Sequence, residues 1–217
     1  MSEFGEEQAI VILDQQFGSL LLKQHLREHF DSTTINKQQY VQLFKLKLHS
    51  HQTPKLLFRA TRDSFAKTAF HQHVDNHKHL IVIVESMEGD LFGAFTTATM
   101  NCEFGTTCDK ESFAFRFENS KMYQFRLDFN RVAISLSKYE SIYLFAFNAL
   151  FWIGDNANVL NYSSSFQDFS VDEEGNTHSD KYMVKEDVIH NKEILTNSRY
   201  FGGKNFLVKE IEVFTIE

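Results

Sequence analysis

The sequence predicts an α+β fold: a central antiparallel β-sandwich flanked by helices, with a helical leader at the N-terminus. Short strand-like segments dominate the chain from residue 80 onward, whereas the residues before it show helical spacing of apolar side chains. The chain also contains 23 phenylalanines, many at alternating positions, as in residues 113–117. Such alternation suits a sandwich core of aromatic rings, although a codon bias towards phenylalanine explains the count equally well.

The leader is predicted to span residues 1–51, and the β-sandwich domain residues 52–217. Apolar residues recur every three or four positions between residues 10 and 30, which predicts a first helix. The polar residues 31–34 interrupt it and are good helix caps. A second helix, residues 35–46, carries Tyr40, Leu43 and Phe44 on one side. We expect both helices to pack on the sandwich or on another chain.

A strand, a helix and a second strand follow one another after Pro54. Residues 55–60 are predicted as a short strand, and Asp63 is predicted to cap a helix that begins at Ser64. The apolar residues of that helix share one face: Phe65, Ala69, Phe70 and Val74.

Strand signals continue to the C-terminus. Residues 88–90 and 172–176 are predicted as turns. The strand candidates are residues 80–85, 91–99, 112–118, 121–128, 131–136, 142–147, 149–154, 157–162, 182–184 and 205–215.

Several motifs together resemble the TLDc domain family. They are RATRDSF at residues 59–65, DLFGAFTT at residues 90–97 after the IVIVES strand, and the closing EIEVF at residues 210–214. Looser matches are SFAFRFE, LFWIGD and the serines at 163–165, so that the resemblance covers about residues 52–217. Ser64 stands where the family commonly has a glycine, and the family's glycine-rich stretch is reduced to Gly154.

The resemblance implies a non-catalytic intracellular module linked to oxidative-stress protection. In several members such a domain binds the peripheral sector of the vacuolar proton pump, so a pump subunit is the expected protein partner, and no cofactor is expected. The resemblance singles out six positions, for which capping, core packing or close strand approach is expected: Arg62, Asp63, Phe92, Gly93, Glu212 and Phe214.

Charge is unevenly distributed along the chain, and this suggests an alternative function. The net charge is −7, yet residues 20–80 hold ten Lys and Arg against four acidic residues. A solvated helical face explains this imbalance, and so does a face that binds a polyanion or a protein. The alternative is therefore a DNA-binding transcriptional regulator of stress-response genes, in which the two leader helices act as a helix-turn-helix. Its basic face would comprise Lys23, Arg27, Lys37, Lys45, Lys47 and Lys55.

Four histidines and two cysteines are the remaining candidates for chemistry. His71, His73, His77 and His79 surround Asp75, and these are residue types that bind zinc. Because the last two precede a strand, the four rings are expected to point in different directions, and we predict no metal site. Cys102 and Cys108 lie in a predicted loop and are interpreted as free thiols or, alternatively, as a redox-active pair.

No enzyme is predicted. The sequence contains no GxSxG motif, and the Gly-Gly-Lys at 202–204 lacks the first glycine and the final hydroxyl residue of a P-loop. The acidic residues 1–7 do not resemble a signal peptide, and no apolar run reaches the roughly 20 residues of a membrane span. Together with the low cysteine count, these features predict a location in the cytoplasm or nucleus.

Overall fold

A computed structural model describes residues 31–45, 54–100, 106–107, 109–118, 120–127, 134–135, 143–147, 150–165, 170–171, 177–178, 183–185, 202 and 205–216. The first predicted leader helix, both cysteines and the predicted turn at 172–176 lie outside these residues. Within them, no helix is both long enough and apolar enough to cross a membrane.

The described residues form two antiparallel β-sheets and three helices, which confirms the predicted fold class. The helices are α1 (Lys37–Lys45), α2 (Ala60–Asp63) and α3 (Lys67–Val74). The strands are β1 (Pro54–Arg59), β2 (Leu80–Ser86), β3 (Leu91–Thr96), β4 (Thr106–Thr107), β5 (Phe113–Glu118), β6 (Lys121–Leu127), β7 (Ile134–Ser135), β8 (Tyr143–Phe147), β9 (Phe151–Gly154), β10 (Ser164–Ser165), β11 (Ser170–Val171), β12 (Thr177–His178), β13 (Met183–Lys185) and β14 (Val208–Ile216).

The larger sheet has nine strands in the order β1-β14-β2-β3-β5-β6-β13-β12-β11, and the smaller has five in the order β10-β9-β8-β7-β4. The last strand of the chain, β14, therefore lies between β1 and β2. Strand β2 is apolar throughout its first five residues because both of its faces are covered. Its alternate residues enter two different hydrophobic clusters, with Val82 and Val84 in one and Ile81 and Ile83 in the other.

The first core lies between the two sheets and is closed by α3. Phenylalanine rings from both sheets and from α3 pack edge to face or stacked in this core. The Phe92 and Phe151 ring centroids are 5.1 Å apart, and those of Phe70 and Phe145 are 5.5 Å apart. Aromatic pairs at these distances add stability beyond the area that they bury. The phenylalanine-rich composition thus builds the predicted aromatic core.

The second core lies on the opposite face of the larger sheet, under α1. Tyr40 and Phe44 of α1 stack on each other, and the Phe44 ring packs against Phe214 of β14 at 5.6 Å. Helix α1 begins after a reciprocal cap, in which the Asn36 side chain accepts a hydrogen bond from the Gln39 N–H and the Gln39 side chain accepts one from the Asn36 N–H. The predicted apolar side of this helix is its sheet-facing side.

Strand β1 forms one border of the larger sheet and is irregular there. Pro54, at its first residue, has no N–H to donate, and the register against β14 shifts between Leu56 and Phe58. The guanidinium of Arg62 donates a hydrogen bond of 3.3 Å to the carbonyl of Leu57, the residue at the shift.

The predicted helix start at Ser64 is wrong. Asp63 is the last residue of the short helix α2, and α3 begins at Lys67 without a local side-chain cap. The Asp63 carboxylate is instead engaged by the Arg59 N–H and by the Arg62 guanidinium. Ser64 has φ 101° and ψ 146°, a conformation that ends α2 and cannot continue a helix.

The predicted strand at residues 157–162 is also wrong, because these residues form a series of turns. The carbonyl of Asn156 accepts hydrogen bonds from the N–H groups of Val159 and Leu160, at 3.0 and 2.9 Å. Asn156 itself has φ 49°, which asparagine tolerates better than most residues. The short strands β4, β10, β11 and β12 were not predicted, since two residues give no periodicity to detect.

Candidate functional site

Charged and hydroxyl side chains converge where β1 pairs with β14. We call this group the edge cluster. It consists of Asp31, Ser32, Thr33, Arg59, Arg62, Asp63 and Glu212.

Glu212 is the centre of the edge cluster. It lies on β14 opposite Arg59 of β1, and its side chain is fully buried. Its carboxylate accepts hydrogen bonds from Arg59 Nε at 2.9 Å, from Ser32 Oγ at 2.5 Å, and from the N–H and Oγ1 of Thr33 at 2.9 and 3.1 Å. A buried carboxylate needs such donors because it has lost its water. Glu212 thus ties the segment before α1 to the sheet.

Arg59 joins Glu212 to the start of this segment. Its Nη2 donates to the Asp31 carbonyl at 3.0 Å and to Asp31 Oδ1 at 3.1 Å. Burial alone would lower the pKa of Arg59, but hydrogen bonds to Asp31 and Glu212 and the charges of both carboxylates raise it above its ordinary value. The guanidinium therefore remains a cation between two anions.

Arg62 and Asp63 form a bidentate pair beside Arg59. Arg62 Nε lies 2.8 Å from Asp63 Oδ1, and Nη2 lies 2.7 Å from Oδ2. The hydrogen bond from Arg62 is the main reason that the pKa of Asp63 lies below its usual value, and the Arg59 N–H lowers it further. Three of the six family-pattern positions, Arg62, Asp63 and Glu212, are thus brought together by Arg59.

The other three family-pattern positions lie in the two cores. Phe92 is buried between the sheets, and Phe214 is buried under α1. Gly93 lies where β3 passes close to β2, since a Cβ atom there would be 2.0 Å from the Val82 carbonyl oxygen and 2.6 Å from the Phe115 ring. No larger residue fits at this position without moving the strand.

Glu210 is a second buried carboxylate on β14, which the sequence did not single out. It accepts hydrogen bonds from the N–H of Thr61 at 3.1 Å, from the Thr61 hydroxyl and from the Ile211 N–H at 2.9 Å. It therefore holds the first turn of α2 on the strand. In the sequence, the alternation of Glu210 and Glu212 within EIEVF could have indicated that Glu210 belongs with Glu212. The position of Arg59 within RATRD could likewise have indicated this arginine.

The geometry of the edge cluster and of Glu210 is better suited to joining parts of the fold than to binding a ligand. Glu212 is buried and already accepts four hydrogen bonds, and the carboxylate of Glu210 accepts three. Their partners come from four parts of the chain: the segment before α1, strand β1, helix α2 and β14 itself. Removing one of these donors would weaken the set of hydrogen bonds that compensates the two buried carboxylates for their lost water.

The histidines do not converge. His71 Nδ1 lies 2.9 Å from Asp75 Oδ1 and its Nε2 is buried without a hydrogen-bond partner, whereas His73 Nδ1 contacts the Ala69 carbonyl at 2.8 Å. His77 and His79 follow the helix in the segment that leads into β2. Among the residues that the structure describes, no group of three or more His, Cys, Asp or Glu side chains could hold a metal ion.

The predicted basic face is only partly described. Lys37 and Lys55 are exposed on α1 and β1, and Lys45 is the last residue of α1. Lys23, Arg27 and Lys47 lie outside the described residues, as do Cys102 and Cys108. Two further cations of the same segment, Arg59 and Arg62, are paired with carboxylates, which reduces the positive charge that they offer to a polyanion.

A shallow groove of about 490 Å³ lies between α1 and the β5–β6 turn. The Gln42 side chain lines this groove. It donates a hydrogen bond to the Ser120 carbonyl at 2.7 Å and accepts one from the Met122 N–H at 3.0 Å. Its lining residues are Gln38, Val41, Gln42, Ser120 and Lys121. This lining contains a single charged side chain, so the groove has little to fix the orientation of a ligand.

A model of the TLDc domain family matches residues 27–217, which include α1 and the whole edge cluster. The family is linked to resistance against oxidative stress, and its domain suggests a protein-interaction module. No curated protein matched the chain.

Proposed function

Because this chain belongs to the TLDc domain family, we propose that it is a regulatory binding module of the oxidative-stress response that acts on the vacuolar proton pump. It binds the peripheral sector of the pump in the cytoplasm and regulates assembly without transforming a substrate. The observation that carries the proposal is the family match over residues 27–217.

The architecture is well suited to work by contact. Two cores hold the central strands of the larger sheet between the smaller sheet and α1, and the edge cluster ties the β1 border of that sheet to the segment before α1. A scaffold that is ordered before binding loses little conformational entropy when a partner docks. Of the six family-pattern positions, three lie in the cores and three in the edge cluster, so all six are placed to support this scaffold.

The direct test is reconstitution of the purified full chain with the purified peripheral sector of a vacuolar proton pump. We expect a complex on size exclusion, and we expect a change in the rate at which peripheral and membrane sectors assemble. An unrelated acidic β-protein of similar size is the control, because the chain carries a net charge of −7. Migration of the two components as separate peaks at micromolar concentration would argue against this partner.

The link to oxidative stress is tested separately in cells. Loss of the chain should increase killing by hydrogen peroxide, and the wild-type chain should restore survival. A variant that replaces Cys102 and Cys108 by serine should restore survival equally if the thiols are ordinary, and fail to do so if they form a redox pair.

The DNA-binding alternative stays a prediction. It requires affinity that falls steeply with added salt, because neutralised phosphates release counterions. A gel shift at low salt, repeated with Lys37→Gln and Lys55→Gln, tests it, since both side chains are exposed. Absence of binding at low salt would remove the alternative.

A further inference from the structure

Hydroxyl groups fasten the segment before α1 to the larger sheet. Thr33 donates from its N–H and from its Oγ1 to Glu212 Oε1, at 2.9 and 3.1 Å. Ser32 Oγ donates to Glu212 Oε2 at 2.5 Å. The same Ser32 oxygen accepts the N–H groups of Thr34 and Ile35, at 3.2 and 3.1 Å. We call the contacts of Ser32 and Thr33 with Glu212 the hydroxyl latch.

Thr33 is the member of the hydroxyl latch that another enzyme can reach. Its side chain is exposed, whereas that of Ser32 is half-buried. Residues 31–36 contain no helix and no strand, so they can be drawn away from the sheet without unwinding a helix or unpairing a strand. Surface segments of this kind are the usual places at which other enzymes act on a folded chain. Thr61, whose hydroxyl donates to the buried Glu210, lies instead within α2.

The charge around the hydroxyl latch is already negative. The edge cluster contains three carboxylates and two guanidiniums, from Asp31, Asp63, Glu212, Arg59 and Arg62. Arg59 is hydrogen-bonded to Asp31 and Glu212, and Arg62 to Asp63. Both guanidiniums are therefore engaged, and a further anion here would have to compete with a carboxylate for one of them.

A phosphoryl group on Thr33 would turn an attraction to Glu212 into a repulsion. The ester oxygen has no proton to donate, and the group adds a charge of about −1.5 to −2 at neutral pH. Because Glu212 is fully buried, water screens this repulsion poorly. Phosphate can stabilise a helix N-terminus, but Thr33 lies before the first helical residue, Lys37, and the Gln39 N–H is already bonded to Asn36.

Helix α1 depends on the hydroxyl latch because it follows directly in the chain. Ile35 is buried in the second core beside the latch, and Tyr40 and Phe44 continue that contact along the helix. Loss of the latch therefore loosens the N-terminal end of α1 first. Further opening would uncover the face of the sheet on which Phe44 packs against Phe214.

We propose that Thr33 is a phosphorylation site, and that its modification releases the segment before α1 from Glu212 and loosens α1. A protein kinase transfers the γ-phosphoryl group of ATP to Thr33 Oγ1. The bond from the γ-phosphorus to the oxygen of the departing ADP breaks, a bond to Oγ1 forms, and a carboxylate of the kinase takes the hydroxyl proton. Hydrolysis by a phosphatase restores the latch. This regulation goes beyond the proposed function, because it needs no assumption about the partner.

The direct test is the full chain with phosphothreonine incorporated at position 33 during translation. Hydrogen–deuterium exchange should be at least about tenfold faster at the amides of α1 than in the unmodified chain. Exchange in β2 and β14 should hardly change, which separates local loosening from general destabilisation. Treatment with a phosphatase should return the exchange of α1 to that of the unmodified chain.

Two variants at position 33 separate the charge from the lost hydroxyl. Thr33→Glu and Thr33→Gln both remove the hydroxyl, but only Thr33→Glu adds a negative charge. The exchange of α1 should be at least about threefold faster in Thr33→Glu than in Thr33→Gln. Thr68→Glu and Thr68→Gln are the matched controls, since Thr68 is exposed on α3, and these two should not differ at α1.

The source of the repulsion is tested by removing nearby carboxylates. In a Glu212→Gln background, the difference between Thr33→Glu and Thr33→Gln should vanish or change sign, because the new carboxylate can then pair with Arg59. Asp31→Asn offers a milder background, since the Asp31 side chain is 65% exposed and its loss frees one side of the Arg59 guanidinium. The difference should become smaller there.

Mass spectrometry of the chain purified from its native cells tests whether the site is used. We expect a phosphopeptide with the phosphate on Thr33, in growing or in peroxide-treated cells. Its absence under both conditions would overturn the assignment of the site. Slower exchange of α1 in the phosphorylated chain, or equal exchange in Thr33→Glu and Thr33→Gln, would overturn the release of α1.

Discussion

A single residue, Ser64, connects the family resemblance to backbone geometry. The sequence resemblance leads us to expect glycine at this position, and here a serine adopts φ 101° and ψ 146° to end α2. Residues with a Cβ are strained in this region, which is almost exclusive to glycine, by on the order of 1–3 kcal/mol. This backbone conformation is a physical reason to expect glycine here.

Ser64→Gly should therefore stabilise the protein. Relief of strain outweighs the entropy that glycine adds to the unfolded chain, and we expect a gain of about 1 kcal/mol in the free energy of unfolding. Urea unfolding of the full chain measures it. Ser64→Ala keeps the Cβ and should give no such gain, and equal stability of both variants would contradict the strain at this residue.

Glu212→Gln tests the edge cluster. The amide keeps the size of the side chain but removes the negative charge next to Arg59 and replaces one acceptor by a donor. Because the carboxylate is fully buried, we expect a loss of about 3 kcal/mol in the free energy of unfolding. The control Glu85→Gln breaks an exposed pair with Lys209 and should cost less than about 1 kcal/mol.

We expect the Asp109 carboxyl to make the free energy of unfolding fall as the pH is lowered. Burial would raise its pKa, but hydrogen bonds from Thr96, Thr97 and the Glu111 N–H outweigh this and hold the pKa below its ordinary value. A lowered folded pKa contributes stability above the unfolded pKa of about 4, and this is lost as pH falls through the folded pKa. Asp109→Asn should be less stable than wild type at pH 6. The difference in urea midpoint should shrink below pH 4, and a constant difference would contradict the assignment.

At the scale of elements, helix α3 illustrates what sequence could not supply. Of its predicted apolar face, Phe70 and Val74 are buried and Ala69 packs beside them, whereas Phe65 packs on the same core from the segment before the helix. The start of α3 was predicted wrongly because its cap comes from Asp155, far along the chain. The Asp155 carboxylate lies 2.6 Å from the Lys67 N–H. Local sequence patterns reveal local caps only, and Asp63 was the nearest candidate.

Asp155→Ala should remove this cap and cost about 1 kcal/mol in the free energy of unfolding. Asp155→Asn retains an acceptor oxygen and should cost less. Circular dichroism melts of both variants measure the difference. Equal loss in the two would mean that the carboxylate charge, rather than the acceptor, stabilises the start of α3.

The strands likewise differ in whether a local sequence pattern is enough to predict them. Long strands such as β2 and β14 were predicted within a few residues, because an apolar run or a clear alternation identifies them. Residues 157–162 contain Val159, Leu160 and Tyr162, residue types that favour strands, and the sequence therefore predicts a strand there. Their exposure depends on the turn at Asn156, which alternation alone does not reveal.

At the scale of the whole molecule, strands β14, β2, β3 and β5 of the larger sheet are covered on both faces. The smaller sheet and α3 cover one face, and α1 covers the other through Tyr40, Leu43 and Phe44. Of the candidate site, the sequence identified Arg62, Asp63 and Glu212 individually. It could not show that Arg59 joins them, because that contact depends on β1 pairing with a strand at the far end of the chain. The predicted boundary between a leader and a domain stays a prediction.

Phe44→Ala tests whether α1 unfolds together with the sheet. Removing a fully buried ring that packs on Tyr40 and Phe214 should cost about 4 kcal/mol. Phe44→Leu, which keeps most of the volume, should cost about 1 kcal/mol. A loss below 1 kcal/mol for the alanine variant, with an unchanged denaturant slope, would mean that α1 is not part of the cooperative unit.

The irregular border strand β1 has a consequence for the protein at high concentration. A straight strand at the margin of a sheet is a template on which further molecules can polymerise into fibrils. Here the missing N–H of Pro54, the register shift at Leu57 and the Arg62 guanidinium on the Leu57 carbonyl interrupt that template. We therefore expect these three features to disfavour the pairing of a further strand with this margin of the described sheet.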